Sequence, residues 1–285
     1  MKSPPVIIIG APRSGTNMLR DVLTSMEGLG TWPCDEINYI WRHGNVTHET
    51  DELSPQMATD PVKRYIDRQF ESLQTRYALQ TVVEKTCANS LRVPFVDAVM
   101  PEARYLFIHR DGLDAVGSAL QRWKARLDFG YLLAKARYVP ISDLPYYGFR
   151  YLGNRVFRLL SREKRLAFWG PSFSGLKEAL DQYSLEEVCA LQWQRCVNLS
   201  ESAFANMPAD KVVRVGYESF VANPETELQR ILAELDLSYD EAAVRAATAA
   251  VSDRSVGKGR DALDTKKRRQ IEKLVGPTLA RYGYL

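Results

Sequence analysis

The sequence predicts an α/β fold, a P-loop-like three-layer α/β/α arrangement with a central parallel sheet and a helical lid insertion. Three observations lead there. Short apolar or β-branched runs alternate with segments of helical length, the pattern of strands joined by crossover helices. The first run, "VIII" from Val6, enters a Gly/Ser/Thr turn and then a helical pattern. A later run, "RYLFIH" from Arg104, likewise ends in an arginine and a new helix.

Taken in order, the strands expected are Pro5–Ile9, Thr81–Glu84, Tyr105–His109 and Lys211–Val215. Each is short and mostly apolar or β-branched, which favours a sheet covered by helices on both sides. The helices expected are Gly15–Met26, Asp60–Tyr77, Leu113–Arg126, Leu185–Asn206, Pro224–Leu235 and Lys266–Tyr282. "SLEEV" from Ser184 is a capping box, with Glu187 three residues after the serine.

A chain of 285 residues buries a sizeable core, and one domain over 1–285 is expected. The stretch from about 129 to 175 differs in character, being rich in Tyr, Phe, Pro and basic residues. Between Tyr131 and Gly170 it carries Lys135, Arg137, Arg150, Arg155, Arg158, Arg162, Lys164 and Arg165 against Asp143 and Glu163. It reads either as a lid over an acceptor site or as an ordinary helical subdomain with a solvated basic face. It could also mediate a homodimer or touch a membrane surface.

Composition excludes several classes. A net charge of +3 is too mild for general nucleic-acid binding. No apolar run reaches the length of a membrane span, and no secretory signal pattern stands near Met1, so a cytoplasmic location is expected. Cys34, Cys87, Cys189 and Cys196 have no zinc spacing, and only three histidines are present, so no metal site is expected.

The chemistry concentrates in "GAPRSGTNML". Gly10 and Gly15 have the spacing of a phosphate-binding loop, but Thr16 and Asn17 follow where that loop carries Lys and Ser/Thr. The one cation in the turn is Arg13. In "IHRDGLDAVGSAL", Arg110 stands just past a buried strand and Ser118 eight residues later. Ligands of open α/β sheets sit beyond the carboxyl ends of strands, so Arg13 and Arg110 are expected in one crevice. Two guanidinium forks suit a ligand with two separate anionic centres.

These residues resemble the sulfotransferase superfamily, whose donor is 3′-phosphoadenosine 5′-phosphosulfate (PAPS). The resemblance implies that Arg13, Ser14, Gly15, Thr16 and Asn17 wrap the 5′-phosphosulfate and that Arg110 and Ser118 take the 3′-phosphate. "VVEKT" looks like the family's Lys-Thr strand end, which makes Lys85 a catalytic candidate. "VVRVGYESF" looks like the segment whose tyrosine lies near the adenine, here Tyr217. "VGKGRDAL" looks like the late glycine/basic loop over the 3′-phosphate, here Lys258, Gly259 and Arg260.

The chain departs from the cytosolic branch of that family. Asn17 and Met18 replace an adenine-stacking aromatic, and Cys87 replaces the histidine base after Lys-Thr. The bacterial and Golgi-type branches, which often use a carboxylate, fit better. "TWPCDEINYIW" supplies Asp35 and Glu36 in the corresponding region, and Glu36 is the chosen base. The implied reaction is direct in-line transfer of the sulfuryl group to a hydroxyl or phenol. Catalysis would come from Glu36, Lys85 and Arg13, and the acceptor would be a small molecule, glycan or lipid.

Plain structural roles stand beside these. Glu36 could cap or pair at the surface, Lys85 could pair with Glu84 or Asp111, and Arg110 could pair with Asp111 or Asp114. Tyr217 could be a packing aromatic, and Lys258 and Arg260 solvated loop charges. Cys87 and His109 read as core residues. Two rival functions are a P-loop ATP-dependent kinase of a small molecule and a non-catalytic relative that kept the fold.

Overall fold

A computed structural model of the chain describes residues 3–123, 139–149 and 169–285. Its centre is a five-stranded parallel sheet in the order β2-β3-β1-β4-β5. The strands are β1 (Val6–Ile9), β2 (Leu29–Gly30), β3 (Thr81–Lys85), β4 (Arg104–His109) and β5 (Val212–Gly216). Four match the expected strands to within one or two residues. The fifth, β2, is two residues long, too short for any periodicity to mark it.

Alternation along the strands builds the two cores. Ile7, Ile9, Val82, Tyr105 and Phe107 face one layer, and Val6, Ile8, Val83, Leu106 and Ile108 face the other. The first layer is covered by α2 (Asn38–Trp41), α3 (Asp60–Arg76), α4 (Val93–Val99), α5 (Gly112–Trp123), and the later helices Leu185–Phe204 and Thr265–Arg281. The second is covered by α1 (Thr16–Thr24) and the helices Tyr217–Ala222, Pro224–Glu234 and Glu241–Thr248. The central strands β1 and β4 therefore read as apolar on both sides over their buried residues, because both sides are packed, whereas β5 leaves Arg214 exposed.

The helix Leu185–Phe204 starts as its sequence requires: Glu187 N–H donates to Ser184 Oγ, and Ser184 N–H donates to Glu187 Oε2 at 2.9 Å. The expected helix over 113–126 runs from Gly112 to Trp123 within the described residues. Most of the basic-aromatic stretch over 129–175, including its eight lysines and arginines, lies outside the described residues. Two of its described parts are tied to the body. His43 Nδ1 lies 2.9 Å from Asp143 Oδ2, and Ser172 N–H donates to Asp51 Oδ2 at 2.8 Å.

Strand order decides where a site can form. From β1 the chain moves outward to β2 and β3 on one side, and later to β4 and β5 on the other. The carboxyl end of β1 is thus a topological switch point, where diverging connections leave a crevice.

Candidate active site

Four strands deliver the candidate residues to that crevice. The loop after β1 carries Arg13 to Gly15, β3 ends on Lys85, β4 is followed by Arg110, and β5 by Tyr217.

The β1 loop turns sharply. Arg13 has φ +70° and Gly15 φ +90°, both left-handed. At Gly15 the conformation and the space agree. A Cβ there would sit 2.3 Å from Tyr217 Cδ2, so glycine lets the loop lie against the tyrosine ring. Gly15 also starts α1, whose first turn has no side-chain cap and no acidic residue. Thr16 is buried in that turn and Asn17 is exposed. A helix N-terminus left this way is a ready anion site. Ser14 is fully buried, and among the described residues its Oγ has no hydrogen-bond partner.

Residues about a hundred positions apart then meet. Arg13 Nε donates to Ser118 Oγ at 2.8 Å, and Arg110 Nη1 donates to the Arg13 carbonyl at 3.2 Å. The Arg110 guanidinium lies over the Tyr217 ring, 4.2 Å from its centroid. Partial burial, then repulsion from Arg122 and Arg110, lowers the pKa of Arg13. Such a cluster of cations gains from an arriving anion.

On the other flank, Lys85 is buried and its Nζ donates to Asp35 Oδ1 at 2.9 Å and Glu36 Oε1 at 3.2 Å. Glu36 Oε1 also accepts from Cys87 N–H at 3.2 Å. Burial opposes the Lys85 charge, but Glu36 and Asp35 outweigh it and hold the ammonium above its ordinary pKa. The plain alternative for Lys85, a pairing with Glu84 or Asp111, is not the one found. Glu84 points into the opposite layer, where it accepts from Thr86 Oγ1 at 2.5 Å and Asn89 Nδ2 at 3.0 Å. Thr86 Oγ1 in turn accepts the N–H of Ile37, beside Glu36, at 3.2 Å. Burial, then the Glu36 carboxylate, pushes the Cys87 thiol well above its usual range, which leaves it a poor nucleophile. Its Sγ lies 3.7 Å from Thr16 Oγ1.

The third part differs from its sequence reading. Lys258, Gly259 and Arg260 form the short helix Lys258–Asp261 rather than a loop. Lys258 is exposed on it. The backbone N–H groups of Gly257, Gly259 and Arg260 all donate to the Asp114 carboxylate, at 2.7, 2.8 and 2.9 Å. Arg110 Nη2 donates to the same carboxylate at 2.9 Å. Burial pushes Asp114 up, but the Arg260 N–H and the Arg110 side chain outweigh it and hold its pKa low. Gly117 and Gly259 make the crossing possible: a Cβ on Gly117 would meet the Gly259 carbonyl oxygen at 2.1 Å. The Arg260 side chain turns back, with Nε on Asp111 Oδ2 at 2.9 Å.

Sequence reasoning reached Asp114 only as a pairing partner of Arg110, although its spacing four residues on was the available signal. It missed Ser255, whose carbonyl accepts from Arg110 Nη2 at 2.6 Å and whose hydroxyl meets Tyr217 Oη. No local pattern marks that serine. His109 is partly buried rather than a core residue, with its Nδ1 3.0 Å from Tyr284 Oη, and burial drops its pKa to about 4. Among the described residues no group of His, Cys, Asp and Glu could hold a metal ion. No described helix is long and apolar enough to cross a membrane.

The family model for the sulfotransferase family matches residues 4–139 and 154–241, well over half of the chain. Solved structures share the fold at low identity. Sulfotransferase STF9 from Mycobacterium avium is 14% identical, with a TM-score of 0.58 over 100% of this chain and 78% of that one. The sulfotransferase domain of the curacin biosynthetic pathway is 12% identical, with a TM-score of 0.57 over 99% and 98%. That of the Synechococcus PCC 7002 olefin synthase is 14% identical, with a TM-score of 0.51 over 96% and 95%. No curated protein matches the sequence.

Proposed function

This chain belongs to the sulfotransferase family, and from that premise we propose that it moves a sulfuryl group from PAPS to an acceptor hydroxyl or phenol. One observation carries the choice of donor. Arg13, Ser118 and Arg110 converge on the uncapped N-terminus of α1. There the buried Ser14 hydroxyl, among the described residues, lacks a partner. An orphaned buried hydroxyl costs stability unless a ligand satisfies it. A donor with phosphate-type oxygens at two ends fits two arginines brought in by different strands, and a sulfuryl group needs no bridging metal to be held by such a loop.

PAPS supplies an activated sulfuryl group on a phosphate leaving group. On this reading the protein's part is positioning and charge stabilisation. Gly15, Thr16 and Asn17 offer first-turn N–H groups, with Ser14 and Arg13 beside them. Arg110, Ser118, Lys258, Gly259 and Arg260 surround the place of the 3′-phosphate, and Tyr217 that of the adenine. Glu36 takes the acceptor proton as its oxygen bonds to sulfur and the bond from sulfur to the phosphate oxygen breaks. Lys85, kept charged by Asp35 and Glu36, stabilises the sulfuryl oxygens. The acceptor is read as a small molecule, glycan or lipid, and the protein as cytoplasmic and acting as one domain.

Calorimetric titration with 3′,5′-ADP, the desulfated product, tests the donor. Metal-independent binding that weakens in Arg110→Ala supports this reading, and labelled PAPS then serves to screen acceptors. Binding of Mg-ATP alone would overturn it in favour of a kinase.

A further inference from the structure

Behind the Arg110 side of the crevice, Tyr284 joins three elements that sequence keeps far apart. It follows the helix Thr265–Arg281, and its backbone N–H donates to the Leu279 carbonyl at 3.0 Å. Its hydroxyl donates to Glu218 Oε2 at 3.1 Å and lies 3.0 Å from His109 Nδ1. Its carbonyl accepts from Arg260 Nη2 at 2.9 Å.

Apart from Leu279, each of these partners is a donor-site residue or its immediate neighbour. His109 precedes Arg110, Glu218 follows Tyr217, and Arg260 is itself a candidate. Glu218 Oε1 also accepts the backbone N–H of Asp111 at 3.0 Å, so the same carboxylate reaches the residue on the other side of Arg110. The proton bookkeeping closes. Tyr284 has one hydroxyl proton, and it goes to Glu218, so a neutral His109 donates from Nδ1 to the hydroxyl oxygen. The ring is also fixed from the side, stacked on Tyr282 at 6.2 Å between centroids, while Tyr282 lies 4.4 Å from the His109 ring.

We propose that Tyr284 is a positioning residue for the 3′-phosphate subsite, one that locks the ends of β4 and β5 and the Lys258–Asp261 helix into a single frame. It touches no reacting atom. It sets the separation of Arg110 and Arg260, and so the ability to distinguish a nucleotide bearing a 3′-phosphate from one without it. This inference rests on the donor-site reading above.

The test is calorimetry on the full chain with 3′,5′-ADP and with 5′-AMP, for wild type, Tyr284→Phe, Glu218→Ala and the double variant. Phenylalanine keeps the stacked ring and removes only the hydroxyl. The preference for 3′,5′-ADP over 5′-AMP is expected to fall about three- to tenfold in Tyr284→Phe, the size of one or two lost hydrogen bonds. Glu218→Ala should show the same signature, and the double variant no more than the larger single loss, because both break one brace. An unchanged preference, or equal weakening toward both nucleotides, overturns the brace while leaving the donor reading intact. Wild-type protein that binds neither nucleotide overturns the donor reading, and this inference with it.

Discussion

Arg13 and Gly15 show how single residues carry the site. Arg13 adopts a left-handed backbone that few non-glycine residues occupy, and it lies in the turn where the anion is expected. Among the described residues its side chain is held by Ser118 and not by a carboxylate, which leaves its charge to a ligand. Arg13→Ala should lower turnover about 10²–10³-fold, the cost of removing one preorganised donor. Measured kcat with product affinity held in view would check it. Gly15→Ala meets both a positive φ and the Tyr217 ring. It should cost about 1–3 kcal/mol in urea unfolding and weaken 3′,5′-ADP binding.

At the scale of elements, the site depends on how α5 meets the Lys258–Asp261 helix. The two backbones touch at Gly117 and Gly259, and Asp114 caps the short helix while gripping Arg110. Asp114 is therefore both a helix cap and one half of a buried ion pair. Removing it strands Arg110 in a buried place and frees three backbone N–H groups at once. Asp114→Ala should destabilise the protein by about 3–5 kcal/mol, as breaking a buried pair does. Chemical denaturation reads that loss, and titration with 3′,5′-ADP should show affinity falling with it.

For the molecule as a whole, ligand and proton linkage are the accessible readouts. Saturation with 3′,5′-ADP at one hundred times its Kd should stabilise the native state by about 2.7 kcal/mol and raise Tm by several degrees. The shift should vanish in Arg110→Ala. Glu84 makes a pH prediction. Burial pushes its pKa up to about 7 from an ordinary 4.5. The folded state then holds a proton that the unfolded state has released, so the protein loses stability as pH rises between those values. The penalty is absent below about 4.5 and full above about 7, where it amounts to roughly 3 kcal/mol at most. Unfolding free energies of wild type and Glu84→Gln, compared from pH 4.5 to 8, should diverge in that sense. A flat difference would place the titration elsewhere.

Much of this was legible in the chain itself. Alternating apolar runs determined the parallel sheet, because a strand packed on both faces must be apolar throughout. The glycine spacing and the lone Arg13 determined a phosphate-type loop without a lysine, since local turn geometry is written in adjacent residues. The tertiary structure alone decided the partners. That Lys85 meets Asp35 and Glu36 rather than Glu84 follows from strand pleating, which sends successive side chains to opposite faces. That the 258–260 segment is a helix capped by Asp114, and that Tyr284 reaches His109 and Glu218, depends on contacts across more than sixty residues of chain. No periodicity in sequence encodes such pairings. They exist because strand order brings distant ends to one edge of the sheet, where buried polar groups must find one another.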